Sequence, residues 1–553
     1  MGYTQELLEL IKKVEATRPA RIQRAKEGKD FPALSLAERA ERLKHHPDYQ
    51  ADGRRPLVVG PSKGYAICHE MAALFEARPL LDPDRFAVDK PDYTTDVLVL
   101  GGGGAGTSAA LLAAEQGLRV ILATKLRHGD ANTMMAEGGI QAATKVGWDS
   151  PYFHYLDVIG GGHFKNVPEL VRTLVTEAPL VIEWLEGLGC LLSKEPHDPQ
   201  GTLRTAHGGG TCRKRMHFAA DITGAEIMRT LRDEARNRAD RIEVLEFNPA
   251  IELILDDKGR CMGAVLLNLE TKQTYVVHAK AVVLATGGSG RLHIKGFMTT
   301  NHYGATADGL VIAYRAGVPV CFLHAVQYHP TGVVFPEQAE GILITEKVRG
   351  FGAHVLNVEG EQFVFEREPR DVEAASIIRE CTVVGKGVPT PTGKFGVWLD
   401  SPMIETMVGP GTVEREFPGK FILYKRFGID IGKVPMLVYP TLHYQNGGVT
   451  YNRHCETNVP GLFAAGEVTG GVHGENRLMG NSLLDVCVFG RIAGQTAAAY
   501  VKEKYAPGIP NLEHVRRFIA ERKEAGIDSA VASPILLPDY VNQQVKDKRL
   551  PGL

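Results

Sequence analysis

The chain has 553 residues, 44% hydrophobic and 23% charged, with a formal net charge of −2. That balance fits a globular protein with a large core and gives no electrostatic reason to expect nucleic acid or an anionic membrane as partner. No apolar run reaches the roughly 18 residues a membrane span needs, and the N-terminus lacks the layout of a secretion signal, so the cytoplasm is the expected location.

From the N-terminus, Leu7, Leu8, Ile11 and Val14 fall at helical spacing, and Ser35 to Glu38 reads as a capping box opening a second helix. "RPLVVG" reads as a strand ahead of an apolar helix from Ala66 to Phe75. This region is either a helical surface extension or an arm that docks a partner. "DPDRFAVDKPDY" reads as a linker.

At Thr95 the texture changes. "TDVLVLGGGGAGTSAALLAAEQGLRVILATK" is strand, tight turn, small-residue helix, strand. Gly101, Gly103 and Gly106 form G-x-G-x-x-G between strand and helix: a tight turn, a close approach for a pyrophosphate, and a helix N-terminus facing the anion. The second strand ends in Thr124, where a NAD site places an acid for the ribose. Strands ending in glycine recur at Ala285 to Gly288 and at Ala464 to Glu467, as in large FAD-binding domains, and no second G-x-G-x-x-G unit follows. FAD is therefore expected rather than NAD. A mixed insert fills 323–441, a small-residue helix follows Asn481, and a charged tail ends the chain.

The motifs "GGGGAG", "AEGG", "FAADITG", "TNHYGATADGL", "QYHPTG", "ILITEKVRG", "PRD", "LHYQNGG", "AAGE" and "NRLMGNSLLD" come in one order over Thr95 to Ala499. In that set and order the sequence resembles the flavoprotein subunit of the succinate dehydrogenase and fumarate reductase family, which also includes L-aspartate oxidase. The resemblance implies an α/β fold: a Rossmann-like FAD-binding domain (92–322 and 442–500) interrupted by an α+β capping domain (323–441), with a helical N-terminal extension (1–91) and a short C-terminal tail (501–553). Residues at the cofactor would be Gly101, Gly103, Gly104, Ala105, Gly106, Thr124, Lys125, Asn132, Thr133, Gly138, Gly139, Ala285, Thr286, Gly287, Asp308, Glu467, Ser482 and Leu483.

The substrate implied is a small dicarboxylate, fumarate or succinate. Such a dianion needs donors at both ends, at least one cation and little water. By resemblance, His329, Thr345, His443 and Arg477 bind its carboxylates, Arg370 donates a proton, and Glu346 and Arg349 relay that proton. Taken singly, the histidines read as structural core residues, Arg370 as half of a surface ion pair with Asp371, and Glu346 and Arg349 as a helical i,i+3 pair. "HGGG" (His207 to Gly210) lacks a G-x-S-x-G partner and reads as a flexible turn near the cofactor.

Two departures stand out. Asn132 occupies the place of the histidine that bonds FAD covalently in membrane-bound members, and an amide is no nucleophile, so the expected FAD is non-covalent. His128 is out of register to replace it. Absence of that bond resembles soluble enzymes that run toward succinate. "HYQNGG" replaces the usual "HYTMGG", so Gln445 and Asn446 are expected to reshape one carboxylate pocket and leave a fumarate analogue open as substrate. The eight cysteines include no CxxC and no CxxCH, which argues against a metal, cluster or haem site here and fits buried thiols in a reducing compartment. Electrons are then expected from a separate iron–sulfur subunit, with NADH or a thiol behind it, or from a free reduced carrier.

Overall fold

The computed structural model describes residues 2–29, 31–145, 147–292 and 294–537; the end of the expected tail, 538–553, lies outside the described residues. The continuous apolar run in Tyr93–Leu100 marks a strand buried on both faces. It pairs in parallel with Val120–Ala123 and Thr274–Leu284. Ile242–Leu245 and Leu462–Ala464 extend the parallel part, and Cys261–Leu267, Ala250–Asp256 and Pro510–Asn511 add antiparallel strands, giving an eight-stranded sheet. Helices Gly104–Glu115 and Asn481–Glu503 pack together beside it through their small residues.

A second, five-stranded antiparallel sheet lies within the mixed insert. Val326–Phe335 pairs with Met436–Gln445, which pairs with Phe395–Leu399, flanked by Val355–Leu356 and Val388–Pro389. Helix Arg370–Thr382 packs on this sheet.

The N-terminal region is less helical than its sequence suggests. Gln5–Lys26 and Leu36–Leu43 are helices, the second opened by the capping box of Ser35 and Glu38. The apolar helix, however, starts only at His69. Ala66–Cys68 is instead a strand paired with Arg54–Pro56, its alternation being too short to tell from a helical turn. Leu8 faces solvent, whereas Tyr3, Leu7, Ile11 and Val14 enter the core of the five-stranded sheet beside Trp398. Farther on, Leu57, Ile67, Met71 and Phe75 join the core of the eight-stranded sheet. The region thus spends its apolar faces on both sheets of its own chain.

Asp400 fastens the first helix: Arg18 Nη2 lies 2.8 Å from Oδ1 and Arg21 Nη2 2.7 Å from Oδ2, with the carboxylate fully buried. Breaking a buried pair strands the remaining charge and costs about 3–5 kcal/mol. Asp400→Ala is expected to lose that much unfolding free energy and to open the first helix to trypsin; an unchanged melting curve and digest would refute the clasp.

Candidate active site

The glycine turn connects Tyr93–Leu100 to Gly104–Glu115, so the N-terminus of that helix points at whatever occupies the turn. Gly101 has φ +117°, and a Cβ there would lie 2.2 Å from the Ala285 carbonyl oxygen, so the turn needs glycine on two counts. Thr133 Oγ1 accepts from the Gly104 N–H (3.0 Å), tying the next segment to the turn.

One groove runs from this turn past Thr124, Lys125, Asn132 and Thr133 to Thr300 and His443. All the residues expected at the cofactor line it except Gly106, Gly138 and Gly139. Gly106 sits one turn into the helix, where a Cβ would meet the Gly101 carbonyl, so it serves strand–helix packing. Gly138 and Gly139 let their loop pass Met479, Met216 and the His217 carbonyl. The groove fits an extended dinucleotide: a glycine cradle at one end, the buried Thr286 hydroxyl without a partner along its side, and imidazole and hydroxyl groups at the far end.

Asn132 is fully engaged. Its amide nitrogen donates to Asn301 Oδ1 and Glu467 Oε2, and its oxygen accepts from the His302 N–H (3.0 Å). His302 itself borders the groove, which sequence reasoning missed. His128 is buried against the Thr107 hydroxyl, 3.0 Å away.

Beyond the groove the strand Val326–Phe335 carries Gln327 and His329 on one face, two residues apart. The rings of His329 and His443 meet edge to face with centroids 5.0 Å apart, and Thr300 Oγ1 lies 2.7 Å from His443 Nδ1. The strongest organiser is Gln327, which the sequence reading passed over. Its carbonyl oxygen accepts from Arg370 Nη1 (2.9 Å) and from Arg477 Nη2 (2.8 Å), while its amide nitrogen donates to Asn476 Oδ1 (2.9 Å) and the Arg477 carbonyl (2.7 Å). Two guanidinium donors fix which end of the amide carries oxygen. Arg370 and Arg477, distant in sequence, are thereby clamped side by side.

Arg370 opens its helix and donates Nε–H to Glu346 Oε2 (2.7 Å). Glu346 Oε1 accepts from the Gly209 N–H (2.6 Å), and Arg349 Nη2 lies 3.6 Å from Glu346 Oε2. Thr345 is buried beside Glu346, its hydroxyl accepting from the Lys347 N–H (3.3 Å). Neither Arg370 nor the Glu346–Arg349 pair is a surface ion pair; Asp371 pairs instead with His163 (2.7 Å).

Burial, then the Arg370 charge, holds both His329 and His443 well below the usual imidazole range, so both are neutral donors at pH 7. Burial and Arg370 also push Arg477 down to about 9; its guanidinium lies over the Tyr444 ring, 4.5 Å from the centroid. Burial alone would raise Glu346, but Arg370, Arg349 and the Gly209 N–H outweigh it and keep it a carboxylate.

Two readings, of the "HGGG" turn and of the thiols, need correction. The "HGGG" turn does not line the groove; its Gly209 N–H holds Glu346, a role visible only once residues 209 and 346 meet. Gln445 and Asn446 act through protein groups, Gln445 reaching Ser289 and the Leu323 and Ala325 carbonyls, and Asn446 holding the Glu475 carbonyl and the N–H of Arg477. Of the thiols, Cys212 is exposed and Cys321 half-buried.

A groove shaped for a dinucleotide that ends at a cluster of two buried arginines and two neutral imidazoles defines an FAD-dependent oxidoreductase. The family model described as FAD binding domain matches residues 96–483. A fumarate reductase (CoM/CoB) chain from Methanothermobacter marburgensis is 37% identical over 464 residues, 82% of this chain and 80% of that protein. L-aspartate oxidase of Streptomyces coelicolor is 38% identical over 419 residues, 73% of this chain and 69% of that protein. The FrdA chain of E. coli quinol fumarate reductase superposes with a TM-score of 0.69 at 31% identity, covering 78% of this chain and 74% of that one. The chain belongs to the family of fumarate reductase and succinate dehydrogenase flavoproteins, with L-aspartate oxidase among its relatives, and its cofactor is FAD. None of its described helices is long and apolar enough to cross a membrane.

Proposed function

We propose that this chain reduces fumarate to succinate as the flavoprotein subunit of an assembly fed by an iron–sulfur partner. The observation that carries the reading is the Gln327 clamp, which sets two guanidinium groups beside neutral His329 and His443 at the end of the FAD groove. Bound FAD supplies the hydride.

The protein's own part is to bind, orient and protonate. Arg477, His329, His443 and Thr345 hold the carboxylates; the neutral imidazoles donate hydrogen bonds without adding charge. Arg477, His329 and Thr345 are buried and His443 half-buried, so the dianion is desolvated where fixed donors count most. As charge grows on the carbon next to the one receiving hydride, Arg370 gives it a proton. A guanidinium is a poor acid, so Glu346 must pass it a proton drawn from Arg349 in the same event, and its 2.7 Å contact with Arg370 Nε suits that task.

The L-aspartate oxidase relatives keep oxidation of an amino acid as the second reading. It needs a group for the substrate amine, and two carboxylates at the site, Glu346 and Glu467, are already engaged. Glu346 accepts from Gly209 and Arg370, and Glu467 from Gln445 and Asn132. Reduced viologen with fumarate, run beside aspartate under oxygen, separates the two. Turnover of aspartate alone would reverse the assignment.

FAD is held without a covalent bond, because Asn132 has no nucleophilic atom and its amide is spent on Asn301, Glu467 and His302. Acid precipitation is expected to leave all the flavin in the supernatant; yellow colour in the washed pellet would overturn this. The sequence carries no cluster or haem motif, which is why we assign electron delivery to a partner, and its free thiols fit the cytoplasm.

A further inference from the structure

The chain Arg370–Glu346–Arg349 has to recover a proton after each turnover, yet Arg349 is only 2% exposed. Its outer edge is covered by the protein itself. Arg349 Nη1 donates to the Glu366 carbonyl (2.8 Å) and is in contact with Glu373 Oε2. Glu373 lies one turn beyond Arg370 on the same helix, so both reach the same side of it. The Glu373 side chain has no solvent exposure, and its second oxygen, Oε1, has no hydrogen-bond partner. An ionised carboxylate buried with one oxygen orphaned is costly, and the neutral carboxylic acid costs less.

We propose that Glu373 is a further member of the proton relay, acting through Arg349 and holding the proton that restores it. The step balances. Arg370 transfers one proton to the substrate carbon and regains one from Glu346. Glu346 draws one from Arg349, and Arg349 takes the Glu373 carboxyl proton, leaving a carboxylate against a renewed guanidinium. Glu373 regains its proton from bulk water between turnovers; on that side it neighbours Glu366, whose carbonyl accepts from Arg349 Nη1 and whose carboxylate lies 3.7 Å from His354. The groups facing Glu373 are Arg349, Glu346, Glu366 and Arg370, and burial together with the two carboxylates pushes its carboxyl well above the usual range.

This inference rests on the fumarate reductase reading. Glu373→Gln keeps an acceptor for Arg349 and removes only the exchangeable proton. Expected is a fall of about 10²-fold in kcat for fumarate reduction, the lower end of what general acid–base groups supply, with KM and flavin content unchanged and a larger solvent deuterium isotope effect. In the wild type, kcat should fall as pH rises through the Glu373 pKa. That limb should vanish in Glu373→Gln, and Glu373→Asp should regain part of the rate. A variant whose kcat, isotope effect and pH profile match wild type overturns the relay. So does a loss confined to KM or to flavin binding in both variants, which marks Glu373 as structural. Absence of fumarate turnover in the wild type instead sinks the functional reading.

Discussion

Arg370→Gln is expected to lower fumarate reduction by about 10³- to 10⁴-fold, the upper part of the range for a general acid, while FAD stays bound. The loss should fall mainly on kcat. Arg370 has two effects on the site. It adds a positive charge that attracts the dianion, and that same charge helps lower Arg477 to about 9. Removing it lets Arg477 hold its proton more firmly, but Arg477 is already charged at pH 7, so nothing offsets the lost attraction and KM should rise as well, by up to about 10²-fold. Arg370→Lys should fare little better than Gln. An ammonium is a point charge and cannot reach Glu346 and Gln327 together as the guanidinium fork does. The sign with pH follows: Arg477 is charged below about 9, so wild-type KM should climb as pH passes that value, and the climb should begin at higher pH in Arg370→Gln. Anaerobic viologen oxidation, with flavin content measured on the same samples, checks this. More than a tenth of wild-type kcat in the variant would remove Arg370 from the chemistry.

Much of the fold was legible because local signals agreed. A strand, three spaced glycines and a small-residue helix can be read from a few dozen residues, and each local preference supports the same turn. The site was legible only in part. His329, His443 and Arg477 stood out as charged or titratable groups inside matching motifs. Gln327 did not, since an amide in a strand is usually unremarkable. A signal was available: in a strand, residues i and i+2 share a face, so any role given to His329 should have raised the question for Gln327. Likewise Glu373 follows Arg370 by three residues in a helix, a spacing that put it beside the relay before any coordinates did. Gly209 gave no such hint. Its contact with Glu346 joins residues 137 positions apart, and only the folded chain shows it.

The hidden residues share a physical character: they are neutral, or made neutral, and they act on charged neighbours. Burial makes this economical. Two arginines side by side repel, and one carbonyl oxygen accepting from both supplies attraction without a net charge that would compete with the substrate. The Asn446 carbonyl, accepting from the Arg477 N–H, continues the pattern (3.2 Å).

Gln327→Glu tests that economy with one atom changed. The new carboxylate would sit within hydrogen-bond reach of both arginines. At about 4 Å and an effective dielectric near 20, an opposite charge contributes about 4 kcal/mol, which the dianion would have to match. KM for fumarate should therefore rise by about 10²- to 10³-fold. Stability should not rise with it: the inserted charge relieves the repulsion between Arg370 and Arg477, but the oxygen that replaces Nε2 can no longer donate to Asn476 Oδ1 and the Arg477 carbonyl, so two buried hydrogen bonds are lost. Gln327→Leu separates charge from shape. It strips both guanidinium groups of an acceptor, at about 1–3 kcal/mol for each buried group left unsatisfied, so it should lose stability and activity together. Fumarate titrations and calorimetric melts of the two variants carry the test. A Gln327→Glu enzyme with KM within threefold of wild type would mean that the arginines do not meet the substrate across this amide.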